Sequence, residues 1–532
     1  MKTFIATILL GVPLIASAGT WQPLRHQPPL PDIIGPVTGR DLGPGGASFP
    51  LLLTDGTVIV QNNSGFGADG KIFKLTPNAY GSYVNGSWSQ LASMPYIPTA
   101  AAQAVLPDGR VIIEGGEYTG IHFDFTLSHM GAIYDPVSNS WARVPPPRFF
   151  VDLYPPRAVF APHPIGDAAS VVLADGTFML QDKMSRQAAI LDLETMTWTE
   201  VGTYTKHDLN DEEGWTLLPN GKVLTVDCYT DFAFGLIPFY PANPTHSELY
   251  DPVTQTWSSA GSTINTLTDP QLFEIGPAVL RPDGTVFAVG SQGYTSIYNS
   301  FTGKWLAGPR LPVSPDGNQM TVQDGPAALL PDGNVLVAAT GGPSNFGFSN
   351  PPVFFFEFDG YNLVPEPTIP NASIDVSGSI VMLVLPTGQI LEADSTKDVE
   401  IYTPTETHHN PAWEPVITDA PARVSPGSTY TVTGIRFNGM SQASAFGDEL
   451  QNATNYPLVR ITNLATNHVF YSRTHNHSSM AVASNKIVST EFDVPAGQEL
   501  GPSKLEVVVN GIASRPVPVL VKHQPEQNPN TD

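Results

Sequence analysis

The sequence of 532 residues contains 49 acidic and 25 basic side chains, which give a formal net charge of −24 and a pI near 4.7. This charge excludes nucleic acid and anionic membrane surfaces as partners, because both would repel the chain. A hydrophobic fraction of 41% excludes a disordered acidic protein. The 52 prolines and 47 glycines predict many short strands connected by turns and few long helices.

The first eighteen residues have the pattern of a secretory signal peptide. Lys2 precedes an apolar run over 4–15, and small residues at 16–18 supply the cleavage pattern. No later apolar stretch reaches the roughly 18 residues that a bilayer span requires. We therefore expect cleavage near Gly19 and a secreted protein without a membrane span. Five N-x-S/T sequons fit a glycosylating secretory pathway, namely Asn62, Asn85, Asn371, Asn452 and Asn476.

The chain contains a single cysteine, Cys228, so it cannot form an intramolecular disulfide. Stability must then come from a large hydrophobic core. Cys228 follows the apolar run 223–226, which predicts a buried thiol that packs as a small hydrophobic side chain; a reactive thiol is the alternative.

A hairpin signal recurs seven times along the chain. Each copy is an apolar run, a turn that ends in glycine and a second apolar run, and the spacings are 53, 67, 45, 63, 49 and 55 residues. Glycine supplies the positive φ that tight hairpin turns require. The turn glycines are Gly56, Gly109, Gly176, Gly221, Gly284, Gly333 and Gly388.

An aromatic pair marks the outer half of four repeats. Tyrosine or leucine precedes tryptophan by seven residues in each, and a period near 50 with these two halves predicts an all-β, seven-bladed kelch-type β-propeller over residues 19–410. Trp21 resembles these outer-strand tryptophans, so we expect the N-terminal segment to supply the outermost strand of the last blade. The pairs are Tyr134 and Trp141, Leu191 and Trp198, Tyr250 and Trp257, and Tyr298 and Trp305.

The repeat ends near Pro411, and short alternating strands follow it. The dipeptide Asn510-Gly511 predicts a two-residue hairpin turn among these strands. This pattern predicts an immunoglobulin-like β-sandwich over residues 411–523 and a polar, disordered tail over 524–532.

The order of signal peptide, seven kelch blades and sandwich resembles the galactose oxidase and glyoxal oxidase superfamily of copper radical oxidases. Three stretches are similar to the galactose-oxidase-like kelch proteins of bacteria and fungi: Ser441–Asp448, Tyr471–Met480 and Val507–Ser514. The resemblance implies a copper site of two tyrosines and two histidines, with one tyrosine bonded to a cysteine. Such a site oxidises an alcohol or aldehyde while oxygen becomes hydrogen peroxide.

This chain departs from that copper-ligand pattern. Only the histidine that the C-terminal unit contributes has a match, His475. Cys228 lies in a different blade from the one that holds the family's cysteine. The missing ligands predict a protein without copper-radical chemistry. Aligned on the hairpin glycines, the family's adjacent Tyr-His pair falls on Gly378 and Ser379, its cross-linked tyrosine on Ala100, and its cysteine near Ala47.

Four acidic residues occupy equivalent positions in successive repeats. They lie nine or ten residues before a hairpin glycine, where the inner strand enters the channel: Asp167, Glu212, Glu274 and Asp324. Carboxylates close to one another disfavour joint ionisation and need wide spacing, a shared proton or a cation. Two interpretations follow: solvated loop ends, or an acidic binding pocket with or without calcium or another divalent cation.

Two histidines, His475 and His477, are two residues apart and should face the same side of a strand. In the resembled enzymes this hairpin reaches the propeller axis, which would bring both imidazoles near the acids as metal ligands or an acid–base pair. A hairpin with a structural role only is the alternative.

Three functions agree with these patterns. The first is a secretory-pathway propeller that binds, or assists conversion of, a small molecule or glycan, and its resemblance to fungal kelch proteins implies a place in a secondary-metabolite pathway. The second is a galactose oxidase-like or glyoxal oxidase-like metal-dependent oxidase with a rearranged site, which peroxide release would distinguish. The third is an extracellular or cell-surface protein that contacts another protein through its blade loops.

Overall fold

A computed structural model describes residues 18–34, 43–63, 67–120, 124–125, 127–150, 165–202, 204–228, 232–233, 237–238, 245–270, 274–342, 349–448 and 450–524. Nearly all of the expected signal peptide and of the expected C-terminal tail lies outside these residues. Within the described ranges, no helix combines the length and the apolar character that a membrane crossing requires.

Seven antiparallel sheets form the blades of a β-propeller, and their innermost strands contact one another around a central axis. From the innermost strand outward, the blades are Ala47–Leu52, Val58–Asn63, Ala68–Thr76 and Ser87–Gln90 (one); Ala102–Val105, Val111–Glu114, Gly131–Asp135 and Ser140–Val144 (two); Ser170–Val172, Phe178–Gln181, Ala188–Asp192 and Thr197–Val201 (three); Thr216–Leu217, Val223–Val226, His246–Asp251 and Thr256–Ser262 (four); Ala278–Leu280, Thr285–Val289, Thr295–Asn299 and Lys304–Ala307 (five); Ala327–Leu329, Val335–Thr340, Val353–Phe358 and Leu363–Glu366 (six); and Val381–Val384, Ile390–Ala393, Val399–Thr403 and Thr20–Pro23 (seven).

Short elements decorate the blades. A three-stranded sheet comprises Pro98–Thr99, Tyr118–Thr119 and Asp124–Phe125, and Phe232–Ala233 pairs with Ile237–Pro238. Two turns of 3₁₀ helix lie at Ser377–Ser379 and Pro411–Trp413.

The seven predicted hairpin turns join the first and second strand of every blade, and all seven turn glycines have φ between +76° and +94°. A residue with a Cβ atom would be strained there. The all-β propeller predicted from these glycines is confirmed.

The aromatic pairs lie directly opposite each other on the third and fourth strands. Tyr134 faces Trp141 with ring centroids 5.0 Å apart, and the pairs in blades four and five are equivalent. In blade seven the same pair comes from the two ends of the propeller, because Trp21 faces Tyr402 at 5.0 Å. The ring is therefore closed by the same contact that stabilises the other blades.

Three of these tryptophans also connect their blade to the preceding one. The indole Nε1 of Trp141 donates to Ala92 O at 2.9 Å, and that of Trp198 donates to Pro145 O at 2.7 Å. Each acceptor follows the outer strand of the preceding blade. Trp21 continues the series across the closure, since its Nε1 donates to Pro367 O at 2.7 Å.

We expect Trp21→Ala to lower the free energy of unfolding by about 3 kcal/mol, because it removes a packed aromatic side chain and an interblade hydrogen bond. It should also speed trypsin cleavage after Arg25, which lies on the protein surface, because the closing strand is then held less tightly. Trp141→Ala removes the equivalent contact with Tyr134 and the hydrogen bond to Ala92 O inside the chain, and serves as the control. Equal trypsin cleavage at Arg25 in the two variants would contradict a special closing role.

The C-terminal residues form a further curled sheet of nine strands. Val469–His475 joins the two sheets of the expected sandwich, because its first half pairs with Leu458–Asn463 and its second half with Val488–Asp493. The remaining strands are Val416–Asp419, Arg423–Val424, Thr429–Ile435, Gly501–Val509, Ile512–Ala513 and Val517–Val521.

The curled sheet packs on the propeller face that carries the inner hairpin turns, which we call the turn face. Backbone amides of Thr474, His477 and Met480 donate to carbonyls of Thr54, Pro107 and Ala174 at 3.0 to 3.1 Å. The opposite face, where the chain enters each inner strand, is called the mouth face. In blade one the six residues of the inner strand, Ala47–Leu52, separate the two faces by about 20 Å.

Candidate functional site

The four predicted acids all lie at the mouth face, a few residues before the inner strands of blades three to six. The ring of blades brings them together. One carboxylate oxygen each from Glu212, Glu274 and Asp324 lie within 4.8 Å of one another, and the same holds for Asp167, Glu212 and Asp448. Glu212 belongs to both groups and therefore lies at the centre of the cluster.

A buried lysine balances part of this charge. Lys183 follows the second strand of blade three, and its Nζ contacts Asp167 Oδ2 at 2.5 Å, Glu212 Oε1 at 2.6 Å and Asp211 Oδ1 at 3.0 Å. Only 7% of its side chain is exposed. We call Lys183 and the carboxyl groups around it the axial acid cluster; its members are Glu117, Asp167, Asp211, Glu212, Glu274, Asp324 and Asp448.

Asp448 reaches the cluster from the C-terminal unit. The strand Ser444–Ala445 pairs with Ala327–Leu329, the inner strand of blade six, and so runs inside the propeller channel. Gly447 permits this approach, because a Cβ atom there would lie 2.5 Å from Asp324 Oδ1. A single segment of the C-terminal unit therefore enters the channel and brings Asp448 beside the acids.

Polar side chains hold this segment against the channel wall. Gln442 Oε1 accepts a hydrogen bond from Leu217 N at 2.7 Å, and Asn452 Nδ2 donates to Met382 O at 2.6 Å. These bonds join the segment to the inner strands of blades four and seven. The position of Asp448 is consequently determined by both structural units.

Burial and mutual repulsion govern the electrostatics of the cluster. Burial, followed by the charges of neighbouring carboxylates, raises the pKa of Glu274 and of Asp324 well above their ordinary values. Burial would also raise the pKa of Glu212, but the Lys183 ammonium and hydrogen bonds with Asp448 and Glu274 outweigh it and lower that pKa. Glu212 therefore ionises more readily than Glu274 and Asp324.

Burial and neighbouring charges also shift the pKa values of Asp211 and Lys183. Burial raises the pKa of Asp211 to about 7, against the opposing effect of Lys183. The carboxylates Asp167, Asp211 and Glu212 overcome the effect of burial and raise the pKa of Lys183, which keeps its ammonium charged. A readily ionised carboxyl group beside acids that hold their protons more tightly is an arrangement that can exchange protons with a bound hydroxyl group.

The two predicted histidines do not reach this cluster, and their expected position at the axis is wrong. His475 Nε2 lies 3.1 Å from Asp493 Oδ1, and His477 Nδ1 lies 2.8 Å from Thr490 Oγ1. Both lie at the turn face, because Val469–His475 is held in the curled sheet. Burial lowers the pKa of His477 to about 3, so its imidazole is neutral.

Among the described residues, the ligand atoms that converge at the axis are carboxylate oxygens. Gly378 lies beside Asp324, where its Cβ would be 3.2 Å from Asp324 O, so the position aligned with a copper ligand has no side chain. The Tyr118 side chain forms a hydrogen bond with the Glu117 carboxyl group and so lies near the axial acid cluster. Within the described residues, neither group of converging ligand atoms at the axis includes an imidazole. These oxygen donors suit a hard cation such as calcium.

Cys228 is buried, as the sequence predicts, and its Sγ donates to Glu212 O at 3.0 Å. Burial, followed by the charges of Glu213 and Asp208, raises the pKa of the thiol. The side chain therefore supports the backbone of Glu212 as a neutral thiol.

The five sequons differ in accessibility. Asn62 and Asn452 are buried, and the Nδ2 of each donates to a backbone carbonyl, so the folded chain has no space for a glycan at either; these two assignments are corrected. Asn371 is partly buried and donates to Asp394 Oδ2 at 2.9 Å. Asn85 is partly buried and Asn476 is exposed.

The sequence missed four members of the site, namely Glu117, Lys183, Asp211 and Asp448. Asp448 is the last residue of Ser441–Asp448, one of the stretches that carry the family resemblance. Its place in that stretch was a signal that it belongs to the site. Lys183 follows an ordinary strand and has no local pattern that distinguishes it.

Neither a family model nor a curated protein matches the sequence. Among solved structures, the chain is similar to a fungal alcohol oxidase of the AA5 family in complex with copper, at 14% identity and a TM-score of 0.47 over 95% of this chain and all of that one. It is also similar to the extracellular domain of a protein described as a hybrid two-component system of B. thetaiotaomicron, at 11% identity and a TM-score of 0.43 over 96% of this chain and 60% of the other. A third structure, YjhT, has 15% identity and a TM-score of 0.33 over 70% of this chain and 96% of its own. At these identities the similarity concerns the fold alone.

Proposed function

We propose that this propeller binds a small polar molecule, a polyol or carbohydrate, at the axial acid cluster and assists its conversion by proton transfer. The observation that carries the proposal is the convergence of Glu212, Glu274 and Asp324, which are all partly exposed at the mouth face. The Glu212 carboxylate accepts a hydrogen bond or a proton from a ligand hydroxyl. Protonated Glu274 or Asp324 donates to another oxygen of the same ligand.

The absence of copper-radical chemistry is part of the proposal. Its support is the donor set, which supplies carboxylates where the resembled enzymes use imidazole and phenolate. Purified protein loaded with copper should therefore release no peroxide from alcohols, aldehydes or phenols. Peroxide release that Asp324→Asn abolishes would contradict this and favour an oxidase with a rearranged site.

Ligand binding is tested with a panel of neutral sugars and polyols, followed by calorimetry or ligand-observed NMR. We expect Glu274→Gln and Asp324→Asn each to weaken binding by about 10-fold, since each replaces a carboxyl O–H donor with a weaker amide N–H donor. Glu357→Gln is the matched control, because Glu357 is also a partly buried acid with a raised pKa but lies on the third strand of blade six. Equal binding in all three variants would overturn the proposal.

A divalent cation is the second candidate ligand, favoured by the three oxygens that lie within 4.8 Å of one another. Calcium prefers six to eight oxygen ligands and tolerates varied geometry. A calcium titration of the same variants distinguishes the two cases. If the wild type binds calcium but no sugar, and Asp324→Asn removes the calcium binding, the cluster is a cation site.

Passage through the secretory pathway is also proposed here, on the basis of the N-terminal pattern and the accessible sequon Asn476. We further propose that the propeller spans 19–410 and the C-terminal unit 411–523, and that the protein accompanies a fungal secondary-metabolite pathway. N-terminal sequencing of secreted protein and glycan mapping at Asn476 test the first of these.

A further inference from the structure

Two histidines and an aspartate converge at the mouth face of blade four, outside the axial acid cluster. Asp227 directly follows the strand Val223–Val226. His246 begins the neighbouring strand His246–Asp251, so the sheet places Asp227 and His246 opposite each other. His246 Nδ1 contacts Asp227 Oδ2, and His207 Nδ1 lies 3.7 Å from the same oxygen. The two imidazole rings are 4.7 Å apart.

An excess of negative charge lies directly behind these residues. The fully buried Lys206 Nζ contacts Asp208, Glu213 Oε1 at 2.8 Å and Glu248 Oε2 at 2.7 Å. Asp227 Oδ1 is 3.9 Å from the same Nζ, so four carboxylates surround one ammonium group. Burying uncompensated charge is costly unless a cation or protons neutralise it.

Asp227 is the side chain that joins this buried charge to the histidines. Its side chain is 1% exposed, and its Oδ1 has no hydrogen-bond partner. In contrast, His207 is 55% exposed, which leaves the third side of the group open to water and to an entering ion. A carboxylate that extends from a negative interior toward one exposed and one largely buried imidazole is a donor set for a cation.

The chemistry of the donors selects the kind of ion. Imidazole nitrogens and one carboxylate suit zinc and related transition metals, which bind such ligands at about 2.0–2.2 Å with a fourth position open to water. Tetrahedral ligands at that length are about 3.4 Å apart, close to the 3.7 Å between His207 and Asp227. Ser259 Oγ lies 3.1 Å from His246 Nε2 and orients that ring from behind.

We propose that His207, Asp227 and His246 bind one divalent transition-metal ion of the zinc class. The entering ion replaces the hydrogen bond between His246 and Asp227 and neutralises part of the buried charge around Lys206. The site is independent of the proposed function, since it shares no residue with the axial acid cluster.

The test uses the full chain after removal of metal by a chelator. Cobalt titration should give visible absorption of a tetrahedral site with one ion per chain, and zinc should raise the melting temperature. We expect His207→Gln and His246→Ala to weaken zinc binding at least 10- to 100-fold. Because His207 is largely exposed, His207→Gln should fold normally.

His468→Ala is the matched control, because His468 Nδ1 lies 2.7 Å from Glu499 Oε1 without a second imidazole. It should bind zinc as the wild type does. The absence of zinc binding by the wild type would overturn the proposal. The proposal would also be overturned if both histidine variants kept zinc binding and Asp324→Asn lost it, since the ion would then lie in the axial acid cluster.

Discussion

We expect Lys183→Met to lower the free energy of unfolding by about 3–5 kcal/mol at neutral pH, and to abolish ligand binding at the mouth face. Methionine keeps most of the aliphatic stem but removes the ammonium group that contacts Asp167, Asp211 and Glu212. The three carboxyl groups would then be buried without a counter-charge. Denaturant unfolding of the two proteins measures the difference.

The sign of the pH dependence identifies the cause of that loss. Without Lys183, ionised carboxylates are penalised in the folded state only, so the difference between variant and wild type should shrink below about pH 4, where unfolded carboxyl groups are also protonated. The surface pair of Lys71 and Asp69 supplies the control, and Lys71→Met should cost at most about 1 kcal/mol. A similar cost at both lysines, or a loss that does not change with pH, would contradict the assignment of Lys183 as a buried counter-ion.

The second expected result concerns the whole protein: its stability should fall as the pH rises from about 4 to 8. Burial, followed by neighbouring acids, raises the pKa of Asp375 to about 7; burial also raises the pKa of Glu400 to about 8. Their unfolded values lie near 4, so between pH 4 and 8 the folded chain binds more protons than the unfolded chain. Protonation therefore stabilises the fold, and this contribution is lost as the pH rises through the folded pKa.

Blade seven offers a direct check of this slope. Glu400 lies opposite Glu392 on the neighbouring strand, and both are buried. Glu400→Gln removes one titrating group, and after allowance for solvent screening we expect it to recover on the order of 1–2 kcal/mol at pH 8 and little at pH 4.5. The exposed Glu194→Gln should leave the profile unchanged. A wild-type stability that is flat or rises from pH 4.5 to 8 would refute the raised pKa values.

Much of the propeller could be predicted because its signals are local. A glycine with positive φ determines each inner hairpin within a few residues, and tyrosine and tryptophan seven residues apart must face each other across a short turn. The same reasoning located Asp167, Glu212, Glu274 and Asp324, since equivalent positions in a closed ring of repeats point to one axis. The four acids converge because they occupy the same position in successive repeats, and those repeats can be recognised in the sequence.

The errors arose where position depends on contacts between distant segments. His475 ends the strand Val469–His475 and His477 follows it, but the curled sheet holds both residues on the turn face, about 20 Å from the mouth. Asp448 enters the channel in their place because Gly447 allows the backbone to approach Asp324. The burial of Asn62 likewise depends on the packing of blade one, which a three-residue sequon does not report.

By itself, the sequence determined the all-β class, the seven blades and the circle of acids, because turn chemistry and strand alternation act over a few residues and repeat seven times. The tertiary structure alone decided which groups meet those acids. Lys183, Asp448 and the cluster around Lys206 occupy buried sites whose electrostatics depend on every neighbouring carboxylate. Coulombic effects at low dielectric depend on distances in space, and the order of residues along a chain does not supply those distances.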